Sequence, residues 1–231
     1  MKNMLLYAWL LFLLGCDHSA PCEPAFFSTS TELVKNGLLA LEPKQQKIGE
    51  TSYCGFDMSI NLLCDFKIDP NFYPTHTFRG FIYLDAKGKL VQYIPFNSKS
   101  KSYPLFDFST KKGESYTTTW IGDFFQTKTK QMVVKNIPCQ VTLRDKFTVV
   151  DSTTQKIDTI YSFHFKHLKL VTNEYDEEEL VLLTSIRRGI VGMYHSLRGD
   201  DYEGIFCWRG NIHRERLDST KVDFLKNLFL E

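Results

Sequence analysis

The feature that most restricts the fold is an alternation of apolar and polar residues with a period of two, clearest over residues 157–166. Thr159, Tyr161, Phe163 and Phe165 share one side of that segment, and Ser162, His164 and Lys166 share the other. Successive side chains of an extended chain point to opposite faces, so this period marks a strand with one face toward a core. The pattern recurs at Phe78, Gly80, Ile82 and Leu84, and again at Leu90, Gln92 and Ile94. Between these two runs, Asp85-Ala86-Lys87-Gly88-Lys89 reads as a hairpin turn, with Gly88 suited to left-handed backbone. Further strands are expected at 103–108, 115–121, 130–136, 139–150, 180–186, 190–195 and 204–208, with Arg187-Arg188-Gly189 turning the chain between two of them. Short links between consecutive strands imply antiparallel neighbours. The 19 Phe and 11 Tyr agree, since aromatic residues favour pleated, half-buried surfaces.

Two helices are expected beside the strands. Leu33, Val34, Leu38 and Leu41 fall on one side of a short helix over 31–41, and Pro43 ends whatever precedes it. Asp218 and Ser219 cap a final helix in which Val222, Leu225 and Phe229 recur at helical spacing. The fold class read from these patterns is mainly β: an antiparallel curved sheet forming a half-barrel, barrel or sandwich, with a short C-terminal helix over one face or edge.

The first residues have a different character. Lys2 precedes an unbroken apolar run of 11 residues, 4–14. As a helix this run spans roughly 16 Å, about half of a bilayer core, which suits a cleavable leader better than a membrane anchor. The run closes in Leu13-Leu14-Gly15-Cys16, which resembles the lipobox of bacterial lipoproteins. That resemblance implies cleavage before Cys16, acylation of its sulfur, and a place in the bacterial cell envelope facing the periplasm or the exterior. It covers the leader only. Asp17-His18-Ser19-Ala20-Pro21 is polar and turn-prone, as a tether leaving a membrane surface would be. The expected organisation is a signal peptide over 1–15, a tether over 16–30 and one β-rich domain over 31–231.

The chain holds 28 Lys and Arg against 27 Asp and Glu, and loss of Lys2 with the leader would leave the two signs equal. A balanced surface argues against electrostatic binding of nucleic acid. Five cysteines follow Cys16, and an odd number leaves at least one outside any internal disulfide. Cys54 and Cys64 are close enough in sequence to meet across a bent hairpin, whereas Cys139 and Cys207, each in an apolar strand, either pair or sit in the core.

No stretch carries a diagnostic chemistry. CxxC, HExxH, GxSxG and glycine-rich phosphate loops are absent from the sequence, so no metal or cofactor is expected. His164 and His167 are three apart, but on a strand they face opposite ways, so His164 reads as an exposed strand histidine. Ser109-Thr110-Lys111-Lys112 matches SxxK without its companion motifs and reads as a polar turn. The residues Asp176-Glu177-Glu178-Glu179 read as a solvated turn, and Arg198-Gly199-Asp200 as a chance tripeptide. Tyr116, Trp120, Phe124 and Phe125 are candidates to line an apolar pocket, though core packing is the more ordinary role of strand aromatics.

Location and elimination lead to one expectation: a lipid-anchored envelope protein, non-enzymatic, that binds or bridges through one face of its sheet. Its partners would be the membrane, through the lipid on Cys16, and either an apolar ligand wrapped by the sheet or another envelope protein. The alternative is an envelope hydrolase whose site is assembled from a carboxylate and two of His76, His164, His195 and His213.

Overall fold

The computed structural model describes residues 22–27, 39–60, 72–76, 78–98, 101–126, 129–150, 155–167, 179–198, 201–208 and 211–218. The strands within them are β1 (Leu39–Ile48), β2 (Thr51–Ile60), β3 (Phe72–His76), β4 (Phe78–Leu84), β5 (Leu90–Pro95), β6 (Tyr103–Asp107) and β7 (Ser115–Gln126). They continue with β8 (Gln131–Val150), β9 (Ile157–His167), β10 (Glu179–Ser185), β11 (Gly189–Arg198), β12 (Asp201–Trp208) and β13 (Asn211–Asp218). A five-stranded sheet has the order β1-β2-β4-β5-β6, and an eight-stranded sheet the order β13-β12-β11-β10-β9-β8-β7-β3. All pairings are antiparallel, and neither sheet closes into a barrel.

One core joins the sheets as a sandwich. Phe56, Met58 and Ile60 of β2, Tyr93 of β5 and Phe106 of β6 meet Val141 and Leu143 of β8, Phe163 and Phe165 of β9, and Leu180 and Leu182 of β10. The expected alternation in β9 therefore holds on the Phe163 and Phe165 side. Tyr116 ties the layers directly: its hydroxyl donates to Leu105 O at 2.8 Å and accepts from Asp107 N at 3.2 Å, reaching from β7 to β6. The expected hairpin between β4 and β5 also forms. Gly88 takes a φ of 66°, and Asp85 Oδ1 accepts from the amides of Lys89 and Leu90, each at 2.9 Å.

Several expectations need correction. Leu39 and Leu41 lie in β1, not in a helix over 31–41, and Pro43 sits within that strand. β1 is an edge strand, where a missing amide costs no ladder hydrogen bond on the open side. The strands expected at 130–136 and 139–150 are one, β8, running through Pro138. Among the described residues, pairing of β8 with β9 begins at Cys139 opposite His167, so Pro138 lies just before that ladder. The C-terminal helix falls on residues outside those described; just before it, β13 adds a strand that the pattern did not reveal. His164 is 4% exposed rather than solvated. β9 lies between β8 and β10, and Phe147, Ile160, Val181 and Leu183 are buried on the same side of the sheet as His164.

The disulfide expectation is also revised. Cys54 pairs with Cys22, with Cα atoms 5.6 Å apart, and Cys64 lies outside the described residues. The bridge pins a short segment that belongs to neither sheet. Its Phe26 and Phe27 are fully buried in the core, and Phe27 N donates to Ile186 O at 3.1 Å. Phe27 holds a φ of 57°, a left-handed conformation costly for a side chain this bulky and one that the surrounding packing must maintain.

Burial also sets a pH limit. It pushes the Cys139 thiol up to about 12 from 9.0, and it raises the hydroxyls of Tyr93 and Tyr116 above their ordinary range. A raised pKa favours the neutral form in the folded state. The contribution is complete below the unfolded values and is lost as pH rises and the unfolded chain ionises first. The urea midpoint followed by fluorescence should therefore fall steadily from about pH 9 upward. A midpoint constant to about pH 11 would contradict this burial.

Candidate functional site

The outer face of the five-stranded sheet, away from the shared core, carries an open trough of about 420 Å³. Register explains its lining. Glu42, Asp57, Phe81 and Ile94 form one row across β1, β2, β4 and β5. Ala40, Ser59 and Arg79 form the next row, continued by Phe96, whose amide donates to Arg79 O at 3.1 Å. Because side chains alternate along strands, the members of both rows point outward together. Lys44 and Gln46 extend the β1 side, and Ser98 closes the end beyond β5.

Gly80 positions the arginine. A Cβ there would collide with Ile94 O and lie 2.9 Å from the Tyr93 ring, so only glycine lets Tyr93 cross this strand. The Tyr93 hydroxyl then accepts from Arg79 N at 3.2 Å and donates to Arg79 O at 3.0 Å. Thus the backbone under Arg79 is held from the core side. Above it the guanidinium carbon stands 5.0 Å over the Phe96 ring, a cation–π pair, and Phe96 is 46% exposed. On the opposite rim Lys44 Nζ bonds Asp57 Oδ2 at 2.6 Å. Both partners are nearly half exposed, so this pair orients side chains more than it stabilises the fold. The trough offers two carboxylates, two cations, an amide and hydroxyls over a floor of Phe81 and Ile94.

The N-terminal segment joins this sheet from its core side, since Gln45 and Cys54 alternate with the outward Lys44, Gln46 and Asp57. Cys22 Sγ lies 3.2 Å from the carbonyl oxygen of Lys44, and Cys54 stands opposite Gln45 in register. Cys16 itself lies outside the described residues.

A second polar cluster lies at the tip of the β10–β11 hairpin. Asp158 Oδ2 accepts from Ser185 Oγ and from Arg188 Nε, each at 3.1 Å, and Arg187 Nη2 is 3.7 Å away. Ser185 Oγ in turn accepts from Arg188 N at 2.8 Å. The serine hydroxyl points its proton at a carboxylate and has no imidazole among these partners, so the cluster clamps the turn rather than activating a nucleophile.

Other sequence candidates are dispersed. His164 stands in register with Thr142 and Val181, neither of them ionisable. The backbones of His76, His195 and His213 lie in β3, β11 and β13, and their side chains are outside the described part. His195 is opposite Glu203 in register, and Glu203 is opposite Arg216. Ser109 Oγ bonds Asp107 and Lys112 Nζ bonds Asp145, so the SxxK match is a turn tied by two carboxylates. Of the four aromatic candidates, Tyr116 packs against the core, and the side chains of Trp120, Phe124 and Phe125 are outside the described part. Of the acidic run only the backbone of Glu179 is described, and of Arg198-Gly199-Asp200 only that of Arg198. An apolar ligand wrapped between the sheets would have to displace Phe26, Phe56, Phe106, Phe163 and Phe165, all buried. Among the described residues no three His, Cys, Asp or Glu side chains gather where a metal could bind.

From sequence alone the polar run from Lys44 to Thr51, following Pro43, reads as a loop, which hides this side of the trough. No period of two marks the strand there, because Gln45 and Lys47 are polar along with Glu42, Lys44 and Gln46. Comparison with protein-family models, curated proteins and solved structures finds no match to this chain. The fold and the trough define the class: an antiparallel β-sandwich with one open, charge-balanced outer face.

Proposed function

We propose that this protein is a lipid-anchored component of the bacterial cell envelope that binds a ligand or partner, without catalysis, through the outer face of its five-stranded sheet. The observation that carries the binding reading is the trough, where an exposed ring, a guanidinium and carboxylates converge. Anchoring rests on Leu13-Leu14-Gly15-Cys16. Six residues of chain lead from Cys16 to Cys22 and reach about 20 Å at most, so an acylated Cys16 would hold the disulfide-linked end of the five-stranded sheet close to the membrane surface.

Two measurements together test the reading. Palmitate should label the natural chain and not Cys16→Ala. The purified chain should sediment with washed, detergent-insoluble envelope material, and Ser59→Trp, which fills the trough, should remain in the supernatant. Absence of label, or equal sedimentation of the two proteins, would contradict it.

The register of His195 with Glu203 favours a second reading, an envelope hydrolase, because it sets an imidazole-bearing residue beside a carboxylate-bearing one on neighbouring strands. Ester hydrolysis by the natural chain that disappears in both His195→Ala and Glu203→Gln would favour it over the first.

A further inference from the structure

We infer that the trough is a carbohydrate subsite, taking a short stretch of a neutral, polyhydroxylated glycan chain; this rests on the reading of the trough as the ligand face. Three observations point to that chemistry. First, the formal charges in the lining cancel, Glu42 and Asp57 against Lys44 and Arg79, so no strongly anionic or cationic ligand is selected. Second, the half-exposed ring of Phe96 presents flat apolar surface, while Phe81 and Ile94 beneath the trough are nearly fully buried. Sugar rings stack their C–H faces on such surfaces, while carboxylates, amide and guanidinium groups around the rim suit hydroxyls that both donate and accept.

Third, the site is a poor receptor for an extended peptide. Peptide strands are captured mainly through main-chain hydrogen bonds at an open sheet edge. The trough is the face of a sheet, and the amides and carbonyls beneath it are committed to the β1-β2-β4-β5 ladders. The adjacent edge, β1, carries Pro43 without an amide, flanked by Lys44 and Lys47, which blunts strand addition there. Recognition must therefore come from side chains, and the open shape suits a chain lying along the face. The Arg79–Phe96 pair is the centre of the subsite: the guanidinium carbon 5.0 Å over the ring sets hydrogen-bond donors beside an exposed apolar surface.

The test is calorimetric titration of the natural acylated chain in detergent with cellohexaose, chitohexaose and maltohexaose, and with pentaglutamate and pentalysine peptides as the competing class. The inference expects at least one oligosaccharide to bind. Phe96→Ala and Arg79→Ala should each weaken that binding about tenfold or more, while Lys111→Ala, on a distant turn, leaves it unchanged. Unchanged melting temperatures for the two variants would show that the loss is local, as expected for exposed side chains. Binding to none of the three oligosaccharides, or binding that Phe96→Ala and Arg79→Ala leave intact, overturns the inference. Peptide binding lost in Phe96→Ala, with no oligosaccharide bound, would overturn the carbohydrate assignment and leave the trough as a ligand face; no binding by either class together with equal sedimentation of Ser59→Trp would remove both.

Discussion

Phe106→Ala is expected to lower the unfolding free energy by about 3–5 kcal/mol, the range for truncating a buried phenylalanine that leaves a cavity. Phe106 sits on β6, an edge of the five-stranded sheet, yet it is completely buried. Its ring centroid lies 5.4 Å from Phe163 and 6.1 Å from Phe165 across the sandwich, and 6.0 Å from Phe27 of the N-terminal segment. Removing it opens the junction of three parts of the molecule at once. Urea unfolding should show a lower midpoint with the slope preserved, and Phe106→Leu should lose less because more of the volume is kept. A loss below about 1 kcal/mol for the alanine variant would mean that the sheets do not share this core.

The second large effect belongs to Cys22→Ser. The bridge to Cys54 closes a loop with a sequence separation of 32, so its loss should cost about 3–4 kcal/mol by the chain-entropy account. The segment it pins carries Phe26 and Phe27, and Phe26 also packs edge-on to Phe56 at 5.4 Å. Detachment should therefore expose two phenylalanines, and fluorescence of an apolar dye should rise along with the fall in midpoint. Reduction of the natural chain should reproduce both changes. A reduced protein with the oxidised protein's midpoint and no added dye binding would show that the strap holds without its disulfide.

Strand positions were largely legible, because a period of two survives wherever one face is buried and the other wet. That is why Ile82 and Leu84, or Phe163 and Phe165, identify their strands. The pattern failed where both faces are covered. Around His164 a polar residue on the far side of the sheet looked like a solvent-facing one, although Phe147, Ile160 and Val181 are buried on that side. Pro43 and Pro138 are accommodated within strands for one physical reason. A proline in a strand is costly only where its amide would be used, and neither Pro43 on an edge nor Pro138 before the β9 ladder meets that condition. Pairing of Cys54 with Cys22 was hidden because proximity along the chain favoured Cys64, whereas the actual bridge depends on where the segment bearing Phe26 and Phe27 docks. The trough was illegible as a unit, since Glu42, Asp57, Arg79 and Phe96 come from four separate stretches and meet only through strand register.

Acylation at Cys16 and the bridge from Cys22 to Cys54 are both open to one measurement. Non-reducing peptide mapping of the protein from its native cells should yield an N-terminal fragment that begins at Cys16, carries fatty acyl mass, and is linked through Cys22 to the fragment containing Cys54. A fragment that still includes residues 1–15, an unmodified Cys16, or Cys22 found free or joined to another cysteine would contradict it.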